Sequence, residues 1–141
     1  MPITYAKKSA KDDRLAVRLP SKTRFALDLY SRMTGQSASD VINKALESIL
    51  RDPESGLFIH TSNEDVFLPE VCWDRLATDR FVNLAHRAPE LLNEEESVLW
   101  KVIFEDQKYW EHKKNRPIHK KIRDDWSALK SKADQLLKDH G

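Results

Sequence analysis

The sequence predicts a mainly α-helical protein in two parts: a β-α-α module at the N-terminus and a helical C-terminal region that contains a helical hairpin. Three observations indicate this fold class. Residues 14–19 alternate in side-chain character with a period of two, which is typical of a short β-strand. Two helical segments follow before residue 51, each with an apolar stripe and a helix-ending residue. Beyond residue 69, apolar residues again recur every three or four positions.

The predicted strand and the first helix are delimited by proline and glycine. One face of the strand carries Leu15, Val17 and Leu19, and the other carries Arg14, Ala16 and Arg18. Pro20 ends the strand because proline cannot donate to a β-ladder, and Ser21 is placed to cap the next helix. That helix is predicted over about residues 22–34, and Gly35 ends it since glycine adopts the left-handed conformation without steric cost.

The second helix of the module begins at a predicted capping box, Ser37-Ala38-Ser39-Asp40. In such a box the serine hydroxyl accepts a backbone N–H three residues on, and the acidic side chain reaches back. The apolar stripe of this helix comprises Val41, Ile42, Ala45, Leu46, Ile49 and Leu50. Arg51-Asp52-Pro53 ends the helix, and Glu54-Ser55-Gly56 is the predicted hinge to a second unit.

The C-terminal domain is predicted over residues 57–141, with a role in partner binding or oligomerisation. It opens with a weakly β stretch around a polar turn, and Pro69 then begins a helix to about Arg87. A second capping box at residues 93–96 opens a helix that stops before Pro117, and one last helix follows it. We expect its aromatic residues to be core rather than a stacking platform for nucleic acid, with Trp100 and Phe104 as an alternative partner surface.

Composition and charge narrow the class of protein. Charged residues make up 33% and hydrophobic residues 40% of the chain, which is typical of globular proteins. No apolar run could span a membrane, the N-terminus lacks a signal-peptide pattern, and Cys72 has no second cysteine to pair with. We therefore expect a protein of the prokaryotic cytoplasm or nucleoid, without membrane contact.

Positive charge is concentrated at the N-terminus. Residues 1–55 contain 10 Lys and Arg against 7 Asp and Glu, whereas the rest of the chain contains 14 against 16. Residues 1–12 are predicted as a flexible basic arm because they lack an apolar period and carry Lys7, Lys8 and Lys11. Such a basic segment attracts a phosphate backbone, and an ordinary solvated tail is the alternative.

A lone amphipathic strand leaves its backbone hydrogen-bonding groups unpaired, and a second copy of the chain can pair with it. We therefore predict a homodimer in which the strands form an antiparallel two-stranded ribbon over a core of four helices. The predicted dimer core comprises Leu15, Val17, Leu19, Leu27, Tyr30, Val41, Ile42, Ala45, Leu46 and Ile49. The ribbon turns Arg14, Ala16 and Arg18 outward, and a two-stranded ribbon fits the major groove of B-DNA.

Residues 13–50 resemble the ribbon-helix-helix (Arc/CopG/MetJ-type) family of DNA-binding proteins. The resemblance lies in the strand ending Arg18-Leu19-Pro20, the turn Gly35-Gln36-Ser37-Ala38-Ser39 and the start of the next helix at Val41. It implies a DNA-binding and dimerisation domain over residues 13–52, in which Arg14, Ala16 and Arg18 read base edges. It also implies a phosphate clamp at Ser37, Ala38 and Ser39, acting mainly through the backbone.

The predicted function is that of a sequence-specific DNA-binding repressor that binds double-stranded DNA as a dimer and assembles further on adjacent sites. Two alternatives stay open. In the first, the protein is an antitoxin whose C-terminal region binds a toxin. In the second, it is an accessory DNA-binding protein of plasmid transfer or partition. No motif of an enzyme, a metal site or a cofactor site occurs, so we expect neither catalysis nor a cofactor.

Two further surfaces carry alternative interpretations. Phe25, Leu29 and Met33 form a second apolar stripe on the first helix. This stripe indicates a surface on which the C-terminal helices or another dimer dock. The alternative is that the three are unrelated apolar residues on the surface. The basic and histidine residues between 112 and 123 form either a second nucleic-acid contact or, as we expect, a solvated charged loop.

Overall fold

A computed structural model describes residues 3–5, 13–112 and 115–140, with the backbone alone described at residues 3–5 and 140. Over these ranges the chain is mainly helical, with seven α-helices and three small antiparallel sheets of two strands each. It divides into two compact units, Met1–Ser55 and Gly56–Gly141. The division falls at the segment that the sequence predicts as a hinge, Glu54-Ser55-Gly56.

The N-terminal unit begins with a hairpin formed within one chain. β1 (Ile3–Tyr5) pairs antiparallel with β2 (Asp13–Leu15), and Ile3 lies opposite Leu15. Within the predicted arm, residues 3–5 are therefore a strand, and the strand at Arg14 has a partner in its own chain. Sequence analysis missed this pairing because a run of three β-favouring residues is too short to show a period.

The second strand is also shorter than predicted. Residues 16–20 belong to no regular secondary structure, so Ala16 and Arg18 lie beyond the end of β2. A segment with an alternating pattern, such as residues 14–19, forms a strand only where a neighbouring backbone pairs with it. Among the described residues, β1 pairs with Asp13, Arg14 and Leu15.

Helix α1 (Ser21–Thr34) begins one position earlier than predicted. The N-cap position is Pro20, which makes no side-chain cap bond, so Ser21 is the first helical residue and not the cap. Proline suits this position because its fixed φ, here −54°, fits the turn into a helix. Gly35 ends the helix as predicted, with φ of 70° and its N–H donating to the Ser31 carbonyl over 2.9 Å.

Helix α2 (Ala38–Leu50) begins at the predicted serine cap. The Asp40 N–H donates to Ser37 Oγ over 3.1 Å, and the Val41 N–H donates to the Ser37 carbonyl over 3.0 Å. The serine half of the capping box is thus present, but among the described residues the Asp40 carboxylate returns no bond to the Ser37 N–H. A single 3-10 turn, Pro53–Ser55, closes the unit.

The C-terminal unit opens with a second hairpin, where the sequence predicts a weakly β stretch around a polar turn. β3 (Phe58–His60) pairs with β4 (Asp65–Phe67), and Phe58 lies opposite Phe67 with ring centroids 5.1 Å apart. In the turn, the Thr61 N–H donates to the Glu64 carbonyl over 3.0 Å.

The single helix predicted from Pro69 to Arg87 is two helices, α3 (Leu68–Cys72) and α4 (Ala77–Arg87). Between them the backbone is extended at Trp73, with ψ of 136°. The Asp74 carboxylate accepts the Leu76 N–H over 2.8 Å. An aspartate that binds the backbone two residues on favours a turn over a continuing helix, which explains the break.

Helix α5 (Glu94–Glu105) begins at a complete capping box, as predicted. Asn93 Oδ1 accepts the Glu96 N–H over 2.8 Å, and Glu96 Oε1 accepts the Asn93 N–H over 3.0 Å. The helix stops earlier than predicted, and a 3-10 turn with the strands β5 (Trp110–Glu111) and β6 (Arg116–Pro117) follows. The Trp110 indole N–H donates to the Ile103 carbonyl over 3.0 Å, which holds this turn against the end of α5.

The last predicted helix is also divided, into α6 (His119–Asp124) and α7 (Trp126–His140), with Asp125 between them. Asp125 accepts the Tyr109 hydroxyl over 2.8 Å, so the break is tied to the turn after α5. Helices α5 and α7 pack against each other. The main core contains Val82, Leu99, Val102, Ile103, Tyr109, Trp110, Ile122, Leu129 and Ala133.

Polar contacts join α4 to α6 across the edge of this core. Arg123 forms an ion pair with Asp79, a buried carboxylate, and the His119 ring lies 2.9 Å from Asn83 Oδ1. Asn83 also donates through Nδ2 to the Cys72 carbonyl over 3.2 Å. Because the amide nitrogen of Asn83 is the donor there, its oxygen accepts from His119 Nε2–H. These residues lie far apart in sequence, and no local pattern predicts their pairing.

One histidine near this junction makes the stability of the C-terminal unit depend on pH. Burial, with the nearby charges of Arg87 and His119, lowers the pKa of His86 below its usual value of 6.5. The folded state therefore binds the proton less readily than the unfolded state, so His86 contributes stability above pH 6.5 that is lost as the pH falls through its folded pKa.

We expect the urea midpoint of the C-terminal unit to fall less between pH 7.5 and pH 5 in His86→Gln than in the wild type. All four tryptophans lie in this unit, so tryptophan fluorescence reports its unfolding selectively. An identical loss in both proteins would show that His86 does not contribute.

Candidate nucleic-acid interface

The N-terminal unit has no buried side chain between Asp13 and Ser55. Most of the predicted dimer core is solvent-exposed in the single chain, including Val17 at 60%, Ile42 at 44% and Ile49 at 65% relative exposure. The rest of that set is exposed at Leu15, Leu19, Tyr30, Ala45 and Leu46, and half-buried at Leu27 and Val41. A soluble domain seldom leaves so many large apolar side chains in contact with water unless another molecule covers them.

The three predicted base-reading residues lie on one short exposed segment. Arg14 is in β2, opposite Thr4 of β1, and Ala16 and Arg18 follow in the extended chain that leads to α1. All three are exposed. Neither guanidinium group forms a hydrogen bond or ion pair with another described residue, so both can bind an external partner.

The N-terminus of α2 offers backbone donors to an anion. Ser37 and Ser39 are exposed and Ala38 is half-buried. The Ser37 hydroxyl already binds the Asp40 N–H, whereas the amides of Ala38 and Ser39 have no acceptor among the described residues. Free N–H groups in the first turn of a helix favour an anion, although the Asp40 carboxylate in the same turn opposes it.

Five more basic residues near the N-terminus are candidates for phosphate contacts: Lys7, Lys8, Lys11, Lys22 and Arg24. Lys7, Lys8 and Lys11 lie outside the described residues. Lys22 is exposed at the start of α1, and Arg24 is paired with Asp28 over 3.4 Å. Arg24 is therefore a weaker candidate for a phosphate contact than Lys22.

Helix α1 exposes the second apolar stripe as well. Phe25 is 62%, Leu29 40% and Met33 83% exposed, so nothing within the N-terminal unit covers this face. The N-terminal unit thus presents two separate apolar surfaces, one shared by the strand and both helices and one on α1 alone.

The C-terminal unit does not gather the basic residues of segment 112–123 into one surface. Lys120 pairs with Asp124 over 2.9 Å, Arg123 pairs with Asp79, and His119 bonds to Asn83. Arg116 and Lys121 are exposed, and residues 113 and 114 lie outside the described part of the chain. The expectation of a solvated charged loop fails for the second half of the segment, because residues 119–123 lie in α6 and both His119 and Arg123 are half-buried.

The described residues hold no group of histidine, cysteine and carboxylate side chains suited to a metal ion. Cys72 is buried, and burial raises the pKa of its thiol, which disfavours the reactive thiolate. None of the described helices is both long and apolar enough to cross a membrane.

Most of the predicted aromatic core is found as expected. Tyr109 and Trp110 are buried, and Trp110 packs edge-on against Trp100 with ring centroids 5.5 Å apart. Phe104 and Trp73 are exceptions. Phe104 is 45% exposed, and Trp73 is 57% exposed and stacks on Arg80. Sequence analysis missed this stacked pair because seven positions and a helix break separate the two residues.

Comparison of the chain with protein-family models, with curated proteins and with solved structures gives no match.

Proposed function

We propose that the protein is a homodimeric, sequence-specific DNA-binding regulator that represses transcription by occupying its site. The observation that carries the proposal is the N-terminal unit without a single buried side chain among residues 13–55. Fixing these residues costs about 1–2 kcal/mol each in backbone entropy, which such a unit offsets only by burying its apolar surface against a partner. A second copy of the chain is the simplest partner because it exposes the same apolar surface, and the two surfaces can cover each other across a two-fold axis.

The proposed dimer exchanges β1 for the partner's strand. An isolated two-stranded hairpin is marginally stable in water, and the pairing of β1 with β2 involves three residues of each strand. The partner's segment 14–19 can pair along six residues and at the same time cover Leu15, Val17 and Leu19. Exchange therefore forms more hydrogen bonds and buries more apolar area than the hairpin does.

DNA is the ligand that fits the polar face of this ribbon. Each chain turns Arg14 and Arg18 outward, and an arginine binds the O6 and N7 atoms of guanine through two N–H groups. The methyl side chain of Ala16 between them can contact a thymine methyl group. The free amides of Ala38 and Ser39 add a phosphate contact, which fixes the register of the ribbon without reading sequence.

We expect Arg18→Ala to reduce the affinity for the selected DNA site by about 1–3 kcal/mol, which is roughly 5-fold to 150-fold, and to change affinity for random DNA far less. Fluorescence anisotropy at one fixed salt concentration measures both affinities. Arg32→Ala, which removes the same charge from an exposed position on α1, is the matched control and should change both affinities equally. An unchanged ratio of specific to non-specific affinity in Arg18→Ala would rule out direct readout by this residue.

A further inference from the structure

The C-terminal unit contains an open pocket of about 330 Å³ formed by α3, α4 and the first turn of α5. Its wall is mainly apolar and includes Pro69, Cys72, Phe81 and Leu84. The volume lies near the lower end of the range of about 300–1,000 Å³ that is usual for small-molecule sites. The pocket therefore suits a small metabolite rather than a nucleotide or a folded segment.

Arg80 brings a fixed positive charge to this pocket. Its guanidinium carbon lies 4.2 Å from the centroid of the Trp73 ring, and its Nε donates to the Asp74 carbonyl over 3.1 Å. These two contacts orient the guanidinium group while its terminal nitrogens have no partner among the described residues. A guanidinium held in this way is prepared to bind a carboxylate through two parallel N–H bonds.

Glu96 brings a negative charge to the same pocket. Its Oε1 accepts the Asn93 N–H over 3.0 Å as part of the capping box, which fixes the side chain and leaves the second oxygen without a hydrogen bond. The ion pairs formed by the described residues do not include one between Arg80 and Glu96. One mainly apolar pocket is thus lined by two side chains of opposite charge, each held by a hydrogen bond to the backbone and not joined to the other by an ion pair.

We propose that this pocket binds a small zwitterion with an apolar body, that is, a free apolar or aromatic α-amino acid. The carboxylate of the ligand accepts N–H bonds from Arg80, its ammonium group donates to the free oxygen of Glu96, and its side chain lies on the apolar wall. A simple acid would leave Glu96 facing an anion, and a simple amine would leave Arg80 facing a cation. Charge complementarity therefore selects the zwitterion over either.

Calorimetric titration of the full chain with L-phenylalanine, L-leucine and L-methionine tests the proposal. We expect saturable binding of one molecule per chain for at least one of the three. 3-Phenylpropanoate and 2-phenylethylamine, which each lack one of the two charges of phenylalanine, should bind at least about tenfold more weakly than the amino acid, because an unpaired charged group in the pocket costs more than 1.4 kcal/mol. No saturable heat with any of the three amino acids would overturn the proposal, as would equally tight binding of the single-charge analogues.

Three variants test the assigned contacts. Arg80→Gln and Glu96→Gln each remove one charge, and glutamine keeps the capping box at position 96. Ala77→Phe fills the pocket from its rim without changing charge. Each should weaken binding at least about tenfold, whereas Arg75→Gln, an exposed neighbour outside the pocket, should leave the Kd within about twofold. Binding that survives both Arg80→Gln and Ala77→Phe in folded protein would place the ligand elsewhere and overturn the assignment.

Discussion

Ile42→Glu is expected to convert the protein from a dimer into a monomer and to abolish specific DNA binding. Ile42 lies in the apolar stripe of α2 and is 44% exposed in the single chain, so the new carboxylate reaches water unless a partner covers it. In the proposed dimer the same position is covered by the partner. Burying an unpaired carboxylate costs about 3–5 kcal/mol, and a two-fold interface contains the substitution twice.

Sedimentation equilibrium gives the measurement for this variant. The wild type should sediment at twice the chain mass of 16.4 kDa, and Ile42→Glu should sediment at the chain mass over the same concentrations. Asn43→Glu is the matched control, because it adds the same charge to the neighbouring exposed position of α2 and should leave the dimer intact. A dimer that persists in Ile42→Glu would show that the apolar stripe of α2 is not the interface.

Ile103→Ala is expected to destabilise the C-terminal unit by about 2–5 kcal/mol. Ile103 has no exposed surface and lies in the main core. Alanine maintains the helix, so the loss comes from the missing side-chain contacts and the remaining cavity. Urea unfolding followed by tryptophan fluorescence measures the change.

The same variant also tests whether the two units act independently. Lys101→Ala on an exposed position of α5 serves as the control and should change the free energy of unfolding by less than about 0.5 kcal/mol. We expect Ile103→Ala to leave the dimer and its DNA affinity unchanged under conditions where the C-terminal unit stays folded. A loss below about 1 kcal/mol would contradict the placement of Ile103 in a tightly packed core.

The sequence predicts those features of the fold that depend on residues within one turn of each other. The glycine that ends α1, the serine that caps α2 and the complete capping box of α5 are all found where their local chemistry places them. In each case the hydrogen-bonding groups at the end of a helix are satisfied by a side chain or a backbone conformation that lies within three or four positions. The neighbouring residues therefore suffice to identify the helix end.

Features that depend on distant residues could not be predicted in the same way. The apolar period continues through Asp74 and Asp125, yet both helices break there, because Asp74 binds nearby backbone and Asp125 accepts the Tyr109 hydroxyl. The pairing of Ile3–Tyr5 with the second strand also escapes prediction, since three residues show no period. The pocket lined by Arg80 and Glu96 depends on the turn between α3 and α4, where the sequence pattern predicts one continuous helix.

Selection of bound sequences from a random pool of double-stranded DNA tests the DNA-reading dimer most directly. A ribbon that turns Arg14 and Arg18 outward from each of two chains should enrich a site with two related half-sites, each containing guanine at the contacted positions. Enrichment of no sequence above the starting pool, with the protein folded and the salt concentration low enough for non-specific binding, would contradict the account.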